Sequence, residues 1–387
     1  MIERTPSWIS KLIFFMMLSS SFVLIEPSPY DFLMLLVVGS SLIFGFMHFE
    51  REVFTPLIVL LLLLIFQLIS VLFAKDIYIS ISYLVITIYL MISWLAMVGI
   101  SQRLKTSFLS IILNGYLVSA VLSALIGISA YFGLLPESNI LLMYGRAKAF
   151  FKDPNVFGPF LVLPSLFALI LYEKEQTFRI KKVIFALLFI ILLTGVFISF
   201  SRAAWGNWIL SFSIYFVLTK QEILIKRITT IISLGLISIP IMMWLANSAF
   251  VEELFKSRLS FQGYDDSRFA IQKEAFITGL KNPMGIGPGQ SELTFQIAPH
   301  SLYARLITEN GIISLLLFLF FIFISIHQSY KSYKLSIDQS SLYFSVICAS
   351  LIGLSFNSFF IDTLHWRHFW LLLVLAWCVP RQRGEYG

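Results

Sequence analysis

Long apolar runs separated by short polar breaks fill almost the whole chain. They fall at 9–25, 31–47, 55–74, 77–100, 107–133, 156–172, 182–200, 203–219, 226–247, 301–326, 341–360 and 366–380. A helix needs roughly 20 apolar residues to cross a bilayer, so the pattern predicts about twelve transmembrane helices. A transmembrane barrel would instead show alternating segments of about ten residues, which argues against that class. The expected fold is an all-α integral membrane protein, a single polytopic domain over 1–387. Two pairs of runs, 55–74 with 77–100 and 182–200 with 203–219, predict tight hairpins. The first run has no A-x-A-like site after it and passes through Glu26-Pro27-Ser28-Pro29 into the next span. It reads as an uncleaved first helix rather than a signal peptide.

One long hydrophilic stretch, 248–300, interrupts this pattern. Within it Asp265, Asp266 and Ser267 are N-cap residue types. The segment after them has apolar residues at 269, 276 and 280 and at 271 and 275, which predicts a short amphipathic helix lying on the membrane or the bundle. Asn282-Pro283 should end it, and Gly285-Ile-Gly-Pro-Gly289 should form a turn whose backbone can approach a ligand closely. Chemistry on a polar substrate is expected where this loop meets the helices.

Composition sharpens the class. Hydrophobic residues make up 58% of the chain and charged residues 13%, with 39 phenylalanines, more apolar surface than a soluble core could hide. The net charge of +7 comes from bases scattered through short loops, so it speaks for topology rather than nucleic acid. With the N-terminus inside, Arg4, Lys11, Arg51, Arg103, Lys105, Lys174, Arg179, Lys331 and Lys334 all fall on inner segments. The short outer turns at 26–30, 75–76 and 361–366 carry one lysine between them. Both termini are then cytoplasmic, and 145–158, 199–204 and 248–300 face outward. Cys348 and Cys378 sit in predicted spans without metal-ligand spacing and read as small buried hydrophobes.

Four outward groups stand out as candidate chemistry: Arg146 with Lys148, Arg202, Arg268 and His300. A cation beside a bilayer is costly unless it is paired or used. Arg202 is either an interfacial anchor whose head reaches the headgroups or part of an anion site. In the second reading Arg202, Arg268 and Arg146 converge on a phosphate or pyrophosphate, which guanidinium forks match bidentately. Arg268 at a helix start would add free backbone N–H donors. His300 follows Pro299 and caps the tenth span; it is either a hydrogen-bonding residue or a general base near neutral pH. Arg305 and Glu309, four apart, form an internal ion pair by default. Asp153 and Asn155 cap the sixth span or orient a sugar. Lys148, Asn155, Tyr303 and Glu309 are candidates for supporting roles. Asp265 and Asp266 are adjacent and read as caps, so a metal-dependent mechanism is disfavoured and no cofactor is expected.

Four stretches, GRAKAFFKDPNVFGPF, FISFSRAAWGNWIL between two spans, DSRFAIQKEAFITGLKNPMGIGPG, and PHSLYARLITENGIISLLLF, occur in this order across about residues 140–326. Together they resemble the bacterial O-antigen ligase/polymerase superfamily of envelope glycosyltransferases. The resemblance implies a GT-C-like helical fold with one large periplasmic loop carrying short helices. It also implies a donor glycan on undecaprenyl pyrophosphate, transferred outside the bacterial inner membrane to an acceptor hydroxyl without metal or nucleotide sugar. Ligase members attach the glycan to lipid A–core, and polymerase members extend another lipid-linked repeat unit; the products are lipopolysaccharide O-antigen, capsule or exopolysaccharide. Arg202 and Arg268 match the arginines that would hold the pyrophosphate, and His300 matches the histidine that would assist the acceptor. Ligases often carry Asn after that histidine; here it is Ser301, and both branches stay open.

The rival class is a transporter or flippase of lipid-linked glycans, since twelve spans is a common transporter count. Transporters place ionisable or helix-breaking residues near the bilayer midplane, whereas here the notable cations cluster at one face. Arg202, Arg268 and His300 around one outer cavity would favour the transferase. A polar pathway through both halves would favour transport.

Overall fold

The computed structural model describes residues 7–175, 177, 179–218, 263–295, 297–336 and 339–378, with single positions at 228, 232, 235 and 236. The ninth predicted span and the start of the long loop, together 226–262, lie almost wholly outside the described residues. Each of the other eleven predicted runs contains helix. In chain order these are α1 (Ser7–Leu18), α2 (Pro29–Ile43), α3 (Phe54–Val71), α4 (Ile77–Leu104) and α5 (Thr106–Tyr131). Then come α6 (Pro154–Phe160), α7 (Val162–Lys174), α8 (Arg179–Ile198) and α9 (Arg202–Val217). The loop supplies α10 (Gly263–Lys281) and α11 (Ser291–Thr294), and α12 (Leu302–Leu335), α13 (Gln339–Asn357) and α14 (Arg367–Ala376) complete the described chain.

Seven helical segments among the described residues are long and apolar enough to cross a membrane. α1 and α14, at 12 and 10 residues, fall well short of a full crossing. Local chemistry sets these limits. The first run stops at Leu18 because Ser19–Ser21 tightens into a 3-10 turn, where the Ser19 hydroxyl donates to the Met16 carbonyl at 2.8 Å. α2 starts at Pro29, fixed by a capping box in which the Asp31 carboxylate accepts from the Ser28 N–H at 2.7 Å. The sixth span is broken between α6 and α7. Pro164 has no N–H for the Phe160 carbonyl, which accepts from the Tyr116 hydroxyl at 2.8 Å instead.

α12 runs on past the predicted end at 326 to Leu335, but it is not continuous. Gly311 has φ 85 and ψ 171, so the helical ladder is interrupted there. The glycine-rich turn fills the break. Ile286 and Gly287 donate to the Thr308 and Glu309 carbonyls, each at 3.0 Å, and Ile312 donates to the Pro283 carbonyl at 3.2 Å. The turn was expected to present its backbone to a ligand. Its close approach is to the chain's own α12: a Cβ at Gly285, whose φ is 82, would meet the Glu309 carbonyl.

The loop helix is also displaced from expectation. It already runs from Gly263, so Asp265–Ser267 lie inside its first turns and are not its N-cap. Its 271 and 275 face packs on α12, where Ala275 is fully buried and its carbonyl accepts from Thr308 Oγ1 at 2.6 Å. Phe269, Phe276 and Leu280 remain exposed. A two-stranded hairpin, β1 (Leu142–Met143) with β2 (Arg146–Ala147), was not anticipated. Tyr144 and Gly145 both have positive φ, 52 and 73, the backbone of a two-residue type I′ turn.

The connections sort to two poles. At one, Lys152 meets Glu26 at 2.5 Å, Arg367 meets Asp31 at 2.7 Å, and the Asp76 N–H donates to the Gln290 side chain at 3.0 Å. At the other, Lys331 meets Glu52 at 3.1 Å, the Glu50 N–H donates to Gln102 at 2.7 Å, and the Lys174 ammonium lies 4.0 Å over the Tyr343 ring. The two sets of turns that the Lys/Arg count separates therefore sit at opposite ends of the bundle. Leucine and isoleucine faces of α3 and α8, including Leu61, Ile65, Ile184 and Leu187, are exposed and suited to lipid.

Candidate functional site

A cavity of about 940 Å³ opens at the first pole. Its walls come from β2, the start of α6, the α8–α9 turn, α10, the end of the long loop and the α13–α14 turn. Arg146, Arg202, Arg268 and His300 all line it, and so does Asn155.

Each group is fixed locally. Arg146 is buried, its Nε donating to the Ser199 carbonyl and its Nη2 to Asn155 Oδ1, both at 2.8 Å. Arg202 is exposed and opens α9, next to Ser201, whose hydroxyl caps the helix by accepting from the Ala204 N–H at 3.3 Å. Phe200, at φ 46, makes the sharp reversal that presents this helix start to the cavity. Arg268 Nη2 donates to the Phe360 carbonyl at 2.6 Å. It lies in the second turn of α10, so the free backbone donors expected beside it belong to residues further upstream. Asp153 caps α6 by accepting from the Asn155 N–H at 2.6 Å, leaving the Asn155 side chain to Arg146.

His300 does not cap α12. Ser301 does, with its hydroxyl accepting from the Ala304 N–H at 3.4 Å, while the His300 carbonyl accepts from Gln272 Nε2 at 3.1 Å. Burial, then the Arg268 guanidinium, lowers the His300 pKa, against upward pulls from Asp153 and Asp362. Its imidazole is neutral near pH 7, the form that accepts a proton.

The other three candidates lie outside the cavity. Lys148 Nζ donates to the Phe151 carbonyl at 3.4 Å, and the Tyr303 hydroxyl donates to the Ser355 carbonyl at 2.7 Å. Glu309 is buried beneath the loop, where it accepts from the N–H groups of Gly289 and Ser291 at 2.8 and 3.3 Å and from Arg305 Nε at 2.8 Å. The expected Arg305–Glu309 pair is present, and Arg305 also reaches Asp362, Tyr83 and Glu292.

Asp362 is the cavity residue that the sequence reading missed. Arg305 Nη1 donates to its Oδ2 at 3.1 Å and holds the carboxylate at the cavity wall. A signal was available: it is the one acidic residue in the 361–366 turn, assigned to the same face as His300. The cavity sets three guanidinium groups (Arg146, Arg202, Arg268) against two carboxylates (Asp153, Asp362), an excess of one positive charge with His300 neutral. Such a site favours an anion, and the α9 N-terminus, whose Ala203 also lines it, adds to that field.

Residues 187–319 match the family model described as O-antigen ligase. The match starts in α8 and ends in α12, so it contains Arg202, Arg268 and His300 and leaves Arg146 before it. It spans about a third of the chain. It supports the resemblance to the O-antigen ligase/polymerase superfamily, and the long apolar helices are those of an integral membrane protein. No curated protein matches the chain.

Proposed function

We propose that this O-antigen ligase-type chain is a metal-independent, inverting glycosyltransferase. It moves a glycan from undecaprenyl pyrophosphate to an acceptor hydroxyl, on lipid A–core or on another lipid-linked repeat unit, at the periplasmic face of the bacterial inner membrane. The reading rests on one observation above all: four groups spread from Arg146 to His300 line a single cavity.

In the proposed reaction the acceptor oxygen attacks the anomeric carbon, and the bond from that carbon to the pyrophosphate oxygen breaks. The electron pair leaves with the pyrophosphate, and the hydroxyl proton passes to the neutral imidazole of His300. Arg202, Arg268 and Arg146 are assigned to the leaving group, where negative charge grows as the bond breaks. Donors already in place there lower the barrier without having to reorganise. Attack opposite the leaving group inverts the anomeric centre. Asn155 is assigned to hold Arg146 in place rather than to touch the sugar, since its amide oxygen is already engaged.

Complementation of a strain lacking the gene tests this reading. His300→Ala and Arg202→Ala should each lose long-chain surface glycan while the protein still accumulates in the membrane; single preorganised donors are worth about 10²–10³ in rate. Normal surface polysaccharide from His300→Ala would refute the assignment. Purified protein given lipid-linked repeats, with and without lipid A–core, separates ligase from polymerase.

A further inference from the structure

The loop helix α10 sorts its residues into three sectors rather than two. At 100° per residue, Phe269, Phe276 and Leu280 fall within about 40° of one another. Ala275 and Gly279 lie roughly 80–120° to one side, and Glu274 and Lys281 roughly 120–140° to the other. The first pair faces the bundle: Ala275 is fully buried, and a Cβ at Gly279 would meet the Ile307 carbonyl of α12. The second pair is charged and exposed, a side turned to water. The stripe between them is apolar and exposed as well, Phe269 by 47%, Phe276 by 37% and Leu280 by 62%, and Met284 just past the helix end by 41%. A contiguous exposed apolar stripe of this kind marks a surface made for something other than water.

The neighbours of α10 set its level in the bilayer. Beyond the break at Gly311, α12 continues for about 24 residues to Leu335, roughly 36 Å at 1.5 Å per residue and enough to cross a bilayer unaided. The break itself lies at the end of α3, where the Ser70 hydroxyl donates to the Glu309 carbonyl and a Cβ at Gly287 would meet Ala74. The stretch of α12 before the break therefore sits at the boundary of the hydrocarbon at the first pole. α10 packs alongside that stretch, with Thr308 donating to the Ala275 carbonyl and Gln272 to the His300 carbonyl. Leu72 and Phe73, at the α3 end, are 82% and 55% exposed. Met284 stands next to Gly285, which abuts Ser70, so the apolar surface of α3 runs on toward the stripe.

At its other end the stripe reaches the large cavity, since Phe269 lines it. Phe356 lines it too; it belongs to α13, one of the helices able to cross a membrane, and is 38% exposed. The cavity thus has apolar, accessible walls besides its arginines.

We infer that α10 lies at the headgroup boundary of the bilayer with the Phe269–Phe276–Leu280 stripe in the acyl chains, and that the cavity opens sideways into this leaflet between Phe269 and Phe356. Lys273, exposed on the water side of the stripe, is placed to reach lipid phosphates. A lipid-linked glycan would then bring its pyrophosphate to the arginines while its hydrocarbon chain stays in the membrane. That use of the opening rests on the glycan-transfer reading; the position of α10 does not.

The test uses the full-length protein in lipid nanodiscs. Cys348 and Cys378 are buried, so a nitroxide label goes to cysteines introduced one at a time. Power-saturation EPR then compares collisions with oxygen, which concentrates in lipid, and with a water-soluble nickel chelate. Phe276→Cys, Leu280→Cys and Phe356→Cys should each show a several-fold higher oxygen-to-nickel ratio than Glu274→Cys and Lys281→Cys. Met284→Cys repeats the stripe measurement if either α10 variant misfolds. Nickel-dominated collisions at 276 and 280 would overturn the inference by putting the stripe in water. Exclusion of both probes there would overturn it by showing a protein surface in place of lipid, and nickel-dominated collisions at 356 would overturn the sideways opening. These readings need no glycan transfer: normal surface polysaccharide from His300→Ala would sink the transfer reading and leave the EPR pattern standing.

Discussion

Arg146 and Ser199 are 53 residues apart in sequence, and Arg146 Nε donates to the Ser199 carbonyl at 2.8 Å. This bond fastens the β1–β2 hairpin to the turn that presents Arg202. Arg146 therefore has two possible contributions to the cavity, its charge and its grip on that turn. Arg146→Lys keeps the first and loses most of the second, because one ammonium cannot reproduce the fork that also reaches Asn155. Glycan transfer by the purified variant is expected to fall about tenfold or more, with a lower melting temperature. Wild-type transfer by Arg146→Lys would mean that charge alone matters there.

His300 gives a pH signature. Its pKa is lowered from the ordinary 6.5 by burial and Arg268, so the neutral base persists below the usual histidine range. Activity that depends on it is full near pH 7 and falls only as pH drops through the lowered value. The acid limb of kcat/KM should have its midpoint below 6.5. Arg268→Gln removes one of the lowering causes and should move that limb upward. An acid limb at or above 6.5 in the wild type would exclude His300 as its source.

Arg305 is the hub beneath the cavity. It is buried and bonds Glu309, Asp362, Tyr83 and Glu292. Removing one partner of a buried charge pair leaves the other uncompensated, at about 3–5 kcal/mol. Arg305→Met should therefore lower thermal stability sharply, and Arg305→Met with Glu309→Gln less so, because the stranded carboxylate is gone. Melting curves in detergent measure the difference. A double variant as unstable as the single would show that Glu309 charge is not the cause.

Two glycine-to-alanine changes should have opposite signs. Gly311 has φ 85, and an added Cβ would strike the Pro283 carbonyl. Gly311→Ala is expected to cost about 2–4 kcal/mol and loosen the loop on α12. Gly39 lies inside α2 with nothing within 4 Å of a Cβ, so Gly39→Ala should be neutral or stabilising by up to about 1 kcal/mol. Thermal melting of the two variants side by side checks the pair.

Apolar run length, capping residues and prolines were enough, without coordinates, to indicate a helical membrane protein. They also located helix in every described run and singled out the arginines and histidine that share the cavity. Those signals are local: a helix satisfies its own backbone in lipid, so its presence shows in consecutive residues. Several features appeared only once the chain was packed. The glycine-rich turn looked like a ligand cradle, yet it closes a break in α12, because the Glu309 carbonyl and carboxylate offer acceptors 20 or so residues downstream. Tyr303, a candidate for a supporting role, bonds the Ser355 carbonyl, and Glu309 keeps the internal pair with Arg305 that its spacing favours. Asp362 drew no notice because its significance lies in a distant neighbour, Arg305. The sequence by itself determined which segments form apolar helices and which cations wait at their ends. Tertiary packing alone decided which of those groups face a common cavity, because that depends on contacts between residues far apart along the chain.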